Sequence, residues 1–210
     1  MPVLDVDTGK LLDYHHLRNH PKLSNIWNES YSKELGRLFQ GIGKLTNGAN
    51  QLVKGTNTFH LINDENIPIN RHKEITYTKV VCLVRSQKAG TNRTQITIGG
   101  SRICYPGDVG TNTDSLEPIK LILNSVLSCP GATFSCFDIY NFYLKTPINL
   151  PEYFQVKLAD IPQYFIDKYN LTKHARDGWV YFDICKGVYG LPQSGYLAND
   201  LLRMSLERHG

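Results

Sequence analysis

Trp27, Tyr31, Leu35 and Leu38 recur at spacings of four, four and three along "LSNIWNESYSKELGRLF", residues 23–39. That period puts the four side chains on one face of a helix, so a helix is expected there, with Ser24 as its cap. Residues 40–58 are rich in Gly, Asn and Thr and read as a loop. Next come "YTKVVCLVR", Tyr77 to Arg85, and "RTQITIGG", in which Gln95 and Thr97 alternate with Ile96 and Ile98. Two such runs around a polar turn containing glycine predict a β-hairpin. Past "YPGDVGTNT" a second helix is expected, with Asp114 as cap, Glu117 three residues on and Pro118 in the first turn. Its buried face would be Ile119, Ile122, Leu123, Val126 and Leu127, and Cys129-Pro130-Gly131 would end it. "FSCFDIYNFYLKTP" then reads as a strand ending near Asp138. Residues 148–178 are mixed, Trp179–Cys185 predicts another strand, and Leu197, Ala198, Leu201 and Leu202 mark the face of a last helix. Helices interleaved with antiparallel hairpins, without internal repeats, predict an α+β fold.

Composition narrows the picture a little. A chain of 210 residues supports one sizeable core, and 41% hydrophobic with 20% charged residues is ordinary for a globular protein. The net charge of +4 permits an acidic partner without demanding one. The five cysteines, Cys82, Cys104, Cys129, Cys136 and Cys185, contain no C-x-x-C pair, so neither a disulfide framework nor a zinc site is expected. Met1 opens no signal peptide and no apolar run has the length of a membrane span, so a soluble intracellular protein is expected.

Three features bear on chemistry. Asp138 closes an apolar run, and a carboxylate there either caps the following turn or holds a metal ion at the floor of a site. "GIGK" at Gly41 lacks the earlier glycine and the hydroxyl residue of a phosphate loop, and is not one. The hairpin carries Arg85, Lys88 and Arg93, with Arg102 just beyond; on residues alone these are a solvated edge that discourages aggregation. His15, His16 and His20 have no ligand spacing and read as solvated.

The order of these features resembles the reverse transcriptases of copia-type retrotransposons. In that family W-x-x-A/S-x-x-x-E-L-x-x-L opens the domain, and Trp27, Glu34, Leu35 and Leu38 match it. The family's W-V-F-K-x-K and K-A-R-L-V strands are similar to "KVVCLVR" and "RTQITIGG". Its D-V-K-x-A-F-L-x-G motif is similar to "DIYNFYLKT", and its L-Y-G-L-K-Q-A motif to "VYGLPQSG", where Pro192 takes the form common in other reverse transcriptases. The arginine of K-A-R-L-V falls at Gln95, which leaves Arg93 as the nearer cation.

The resemblance implies a right-hand polymerase fold. Residues 1–75 would be an N-terminal segment leading into the fingers; 76–118 and 149–188 would be fingers, and 119–148 and 189–210 palm. The implied activity is RNA-directed DNA synthesis on an RNA or DNA template-primer, with deoxynucleoside triphosphates as substrates and two Mg²⁺ ions as cofactors. Asp138 would be the catalytic metal ligand, joined by the Ile139 carbonyl. Tyr143 would stand beside the incoming sugar and exclude a 2′-hydroxyl. Gln193 would reach the sugar or triphosphate, and Lys88 and Arg93 would fold over the triphosphate. In an intact element RNase H and integrase would accompany this chain, in a cytoplasmic particle or the nucleus. The family also needs an Asp-Asp pair, and no such dipeptide occurs in the 210 residues. A polymerase fragment inactive alone is therefore expected, with a non-catalytic nucleic-acid-binding remnant of a mobile element as the alternative.

Overall fold

The computed structural model describes residues 3–43, 53–87, 91–111 and 115–209. Val3–Leu4 (β1) pairs with Leu11–Leu12 (β2), and the short helix Tyr14–Arg18 (α1) follows, capped by Asp13, whose carboxylate accepts from the His16 N–H at 3.0 Å. The long helix Ser24–Leu38 (α2) buries Trp27, Tyr31, Leu35 and Leu38, the stripe that its spacing predicts. Ser24 is not its cap. Leu23 holds that position without a side-chain bond, because the preceding turn satisfies the first donors through Ser24 N–H to His20 C=O at 3.0 Å. The stretch expected to be loop contains a short ladder, Gly41–Ile42 (β3) against Val53–Lys54 (β4), and then Phe59–Ile62 (β5). Lys44 and the rest of 44–52 lie outside the described residues.

The hairpin forms as expected: Thr78–Val84 (β6) pairs with Asn92–Ile98 (β7). Thr94, Ile96 and Ile98 are buried, and Ser30 of α2 fastens the β7 end by accepting from the Thr94 N–H at 2.8 Å. Three helices and two strands complete the order: Leu116–Ser128 (α3), Pro147–Lys157 (β8), Gln163–Tyr169 (α4), Trp179–Lys186 (β9) and Ser194–His209 (α5). β9 is the central strand of a sheet ordered β5-β9-β8, all antiparallel. Val180, Phe182 and Ile184 point into the core, while Tyr181, Asp183 and Cys185 lie on the opposite face, as the period of two requires. Thr76 joins the two sheets: its N–H donates to Tyr153 C=O at 2.9 Å and its C=O accepts from Gln155 N–H at 3.0 Å.

One core cluster unites α1, α2, α4, the hairpin and the three-stranded sheet. Phe39 sits at its centre, fully buried, with the rings of Phe59, Phe165, Tyr169 and Phe182 between 5.0 and 5.6 Å away. The mixed helix and strand content makes the chain α+β, as the sequence predicts.

Two expectations fail in the same region. The α3 face that should be buried is not: Ile119, Ile122 and Leu123 are 44%, 51% and 41% exposed, and Leu127 is 86% exposed. Asp138 does not end a strand, since residues 132–139 have no regular structure and Phe134 and Phe137 are exposed. An apolar periodicity states only that a face can be buried. Burial needs a surface opposite it, and the described residues supply none here. Asp114, expected as the α3 cap, lies outside the described residues, and Ser115 occupies the cap position without a cap bond.

Candidate functional site

The stretches that the resemblance singles out converge at the base of the hairpin. Ile98 N–H at the end of β7 donates to Tyr189 C=O at 2.8 Å. Gly190 follows with φ of +93°, and a Cβ there would collide with the carbonyl of Ile98. Only glycine lets the Y-G-L-P loop lie this close to the strand. Gly100 faces Gly190 and Pro192 from the hairpin side, equally without room for a side chain. Tyr143, in a 3₁₀ turn over Tyr143–Lys145, packs its ring edge-to-face on Tyr189 at 5.3 Å. Thr146 C=O accepts from Gly187 N–H at 2.8 Å and ties that turn to the end of β9.

Arg37 anchors the same region from α2. Its guanidinium donates to both Glu34 oxygens, at 2.9 and 2.7 Å, and to the Asn141 side-chain oxygen at 2.9 Å. Burial works against the Arg37 charge, but the Glu34 carboxylate more than offsets it, so the guanidinium stays above its ordinary value. Asn141 has φ of +55°, a left-handed conformation that asparagine tolerates, three residues after Asp138. The chain after Asp138 is therefore held to the helix carrying the first motif. Arg37 was missed from sequence, although the i, i+3 pair Glu34–Arg37 inside a buried helix is a readable sign of a satisfied charge.

Behind this lies a second buried polar set. Glu152 of β8, 4% exposed, accepts from Gln193 Nε2 at 3.1 Å and from Arg71, which also donates to Pro151 C=O at 2.7 Å and to Glu74 at 2.7 Å. Burial raises the Glu152 carboxyl above the ordinary glutamate value, with Arg71 and Gln193 opposing that rise. Gln193 is 1% exposed, and its remaining amide oxygen has no hydrogen-bond partner. Its side chain thus serves a buried carboxylate, which needs donors more than an open loop would.

The remaining predicted residues are scattered. Asp138 is exposed and Ile139 is 41% exposed, both on the irregular segment. Arg93 is half-buried near the far end of the hairpin, five residues from Ile98, or about 17 Å along the strand. Lys88 lies outside the described residues. A magnesium pair asks for several oxygen ligands on a rigid floor. Among the described residues Asp138 belongs to no group of three or more potential ligands, so those residues do not fit a two-Mg²⁺ site.

No protein-family model, curated protein or solved structure matches this chain.

A cavity of about 670 Å³ is lined by Tyr14, Tyr31, Tyr77, Lys79, Lys157 and Trp179 among others. Two cations sit over aromatic rings at its rim, Lys79 over Tyr77 at 5.8 Å and Lys157 over Trp179 at 5.4 Å. No helix among the described residues is long and apolar enough to cross a membrane.

Proposed function

We propose that this chain is the fingers and part of the palm of a reverse transcriptase of copia type, holding template-primer without completing a polymerase centre. The observation that carries the reading is the meeting, at one place, of stretches far apart in sequence: the hairpin base at Ile98–Gly100, the turn at Tyr143 and the loop Tyr189–Gln193. Polymerase motifs have to converge in this way, and a chance resemblance carries no such demand. The exposed apolar faces of α3 and of the segment around Asp138 fit the same reading. In the family that region is palm, and it packs against the strands that carry the Asp-Asp pair.

Binding is expected to be electrostatic and indifferent to sequence, because a polymerase must accept any template. The full chain should bind a labelled RNA–DNA template-primer with an affinity that falls log-linearly with salt. Arg93→Ala should reduce that slope by about one, the signature of one lost phosphate contact. Fluorescence anisotropy over a salt series measures both. A slope near zero, or preference for one sequence, would remove the reading.

Primer extension is expected to be absent. With Mg²⁺ or Mn²⁺ and all four deoxynucleotides, the purified 210-residue chain should extend a primer on an RNA template no more than its Asp138→Asn variant does. One exposed carboxylate offers a reluctantly dehydrating cation too few oxygens. Extension that disappears in Asp138→Asn would show that the chain assembles a working centre.

A further inference from the structure

His60 on β5 and Asp183 on β9 are register partners, and Cys185 lies two residues along β9 on the same outer face of the sheet. His60 Nδ1 stands 3.3 Å from an Asp183 carboxylate oxygen and 3.3 Å from the Cys185 sulfur. All three ligand atoms lie within 4.8 Å of one another, and each side chain is half-buried. From these distances we propose that His60, Asp183 and Cys185 form a three-ligand site for a tetrahedral divalent cation of the zinc class, with the fourth position open to water.

Geometry, ligand type and support all point the same way. Zn²⁺ binds sulfur at about 2.3 Å and nitrogen or oxygen at about 2.0–2.2 Å, which sets ligands roughly 3.3–3.7 Å apart at the corners of a tetrahedron. Both contacts of His60 already have that separation, so the side chains need little movement to close on an ion. Thiolate, imidazole and carboxylate together suit zinc and not magnesium, which asks for oxygen alone. The ligands stand on a hydrogen-bonded strand pair, not on loops. The His60 backbone N–H donates to the same Asp183 carboxylate at 3.1 Å, and the Cys185 N–H to Thr58 C=O at 2.9 Å. Such bonds fix the direction in which a ligand presents its lone pairs. The neighbouring cation is turned away: the Lys186 ammonium donates to Thr56 C=O at 2.5 Å.

Without a metal the three groups share hydrogens, a His60 Nδ1–H and the Cys185 thiol both being able to donate to the Asp183 carboxylate. A divalent cation would take the place of those hydrogens among the same three ligand atoms. On binding, the Cys185 S–H bond is replaced by a sulfur–metal bond and its proton passes to solvent, with no change of oxidation state. The site spans the edge strand β5 and the central strand β9 and would pin the two together, while the open position leaves room for an exchangeable water.

The test uses Co²⁺, which reports thiolate ligation and tetrahedral geometry in its absorption spectrum. In the full chain, with the exposed Cys104, Cys129 and Cys136 changed to serine, one equivalent of Co²⁺ should produce a thiolate charge-transfer band and intense visible bands. One equivalent of Zn²⁺ should then abolish both. Cys185→Ala should remove the charge-transfer band. His60→Ala, at a side chain already 43% exposed, should weaken Co²⁺ binding by more than the roughly 10–100-fold that loss of an outer-shell partner brings. Circular dichroism identifies the folded variants, and His60→Ala decides the matter should Cys185→Ala not fold. Absence of the band in the parent chain overturns the proposal. So does a band that survives in Cys185→Ala, or an unchanged affinity in His60→Ala.

Discussion

Replacing Phe39 by alanine should lower the free energy of unfolding by about 3–5 kcal/mol, a large share of the roughly 5–15 kcal/mol that holds a typical protein folded. Phe39 closes α2 and is fully buried. Phe59, Phe165 and Phe182 meet it edge-to-face, and Tyr169 lies against it at 5.6 Å. Truncation removes the apolar area of a whole ring and leaves a void bounded by four other rings. Those rings stand on β5, β9 and α4, and they cannot close the void without moving three elements at once. Urea unfolding followed by circular dichroism measures the loss. For a chain of this size it corresponds to a fall in Tm of roughly 10 °C. Phe39→Leu should recover much of the difference, because it returns most of the volume. A loss below about 1 kcal/mol for Phe39→Ala would show that this cluster is not the centre of the core.

Arg71→Ala should be comparably damaging at neutral pH and much less so in acid. Arg71 donates to Glu152, to Glu74 and to Pro151 C=O, and lies over the Tyr153 ring at 5.3 Å. Without it Glu152 keeps only Gln193 as a donor and remains a buried, nearly unpaired carboxylate, a defect of about 3–5 kcal/mol. The pH dependence follows from the direction of the shift. Burial holds the Glu152 carboxyl above its ordinary value, so the folded chain binds that proton more tightly than the unfolded chain. Stability from this group is therefore present at low pH, and is lost as pH rises from the ordinary glutamate value of about 4.3 up through the raised folded value. Removing Arg71 takes away the strongest influence opposing that rise, which moves the upper edge of the window higher. The penalty of Arg71→Ala should shrink as pH falls towards that ordinary value. Urea midpoints of the two proteins at neutral and acidic pH give the comparison. An equal penalty at both would mean that the Glu152 charge is not what Arg71 supports.

The local elements were legible because short-range rules determine them. The stripe of Trp27, Tyr31, Leu35 and Leu38 forms the buried face of α2. The alternation around Ile96 and Ile98 forms β7, and "WVYFDIC" forms all but the last residue of the central strand. In each case the polar and apolar positions match one periodicity, and the structure provides a surface for the apolar side to meet. The same rule failed for α3 and for the run ending at Asp138. Their patterns are as regular, but among the described residues nothing stands opposite them. A sequence records that a face is able to be buried, and only the tertiary structure supplies the partner.

Pairings across long distances were not legible at all. Nothing in "FHLI" announces that His60 will face Asp183, although the D-x-C spacing of Asp183 and Cys185 does put those two on one face of a strand. Likewise Arg71, Glu152 and Gln193 are separated by at least 41 residues at each step, and no spacing links the three. Buried charges find their partners only when the chain closes, because the penalty for leaving them unpaired arises only after water has been excluded. The sequence by itself determined α2, the hairpin and the strand at Trp179. Tertiary packing decided which apolar faces found cover, and which polar groups met across the two sheets.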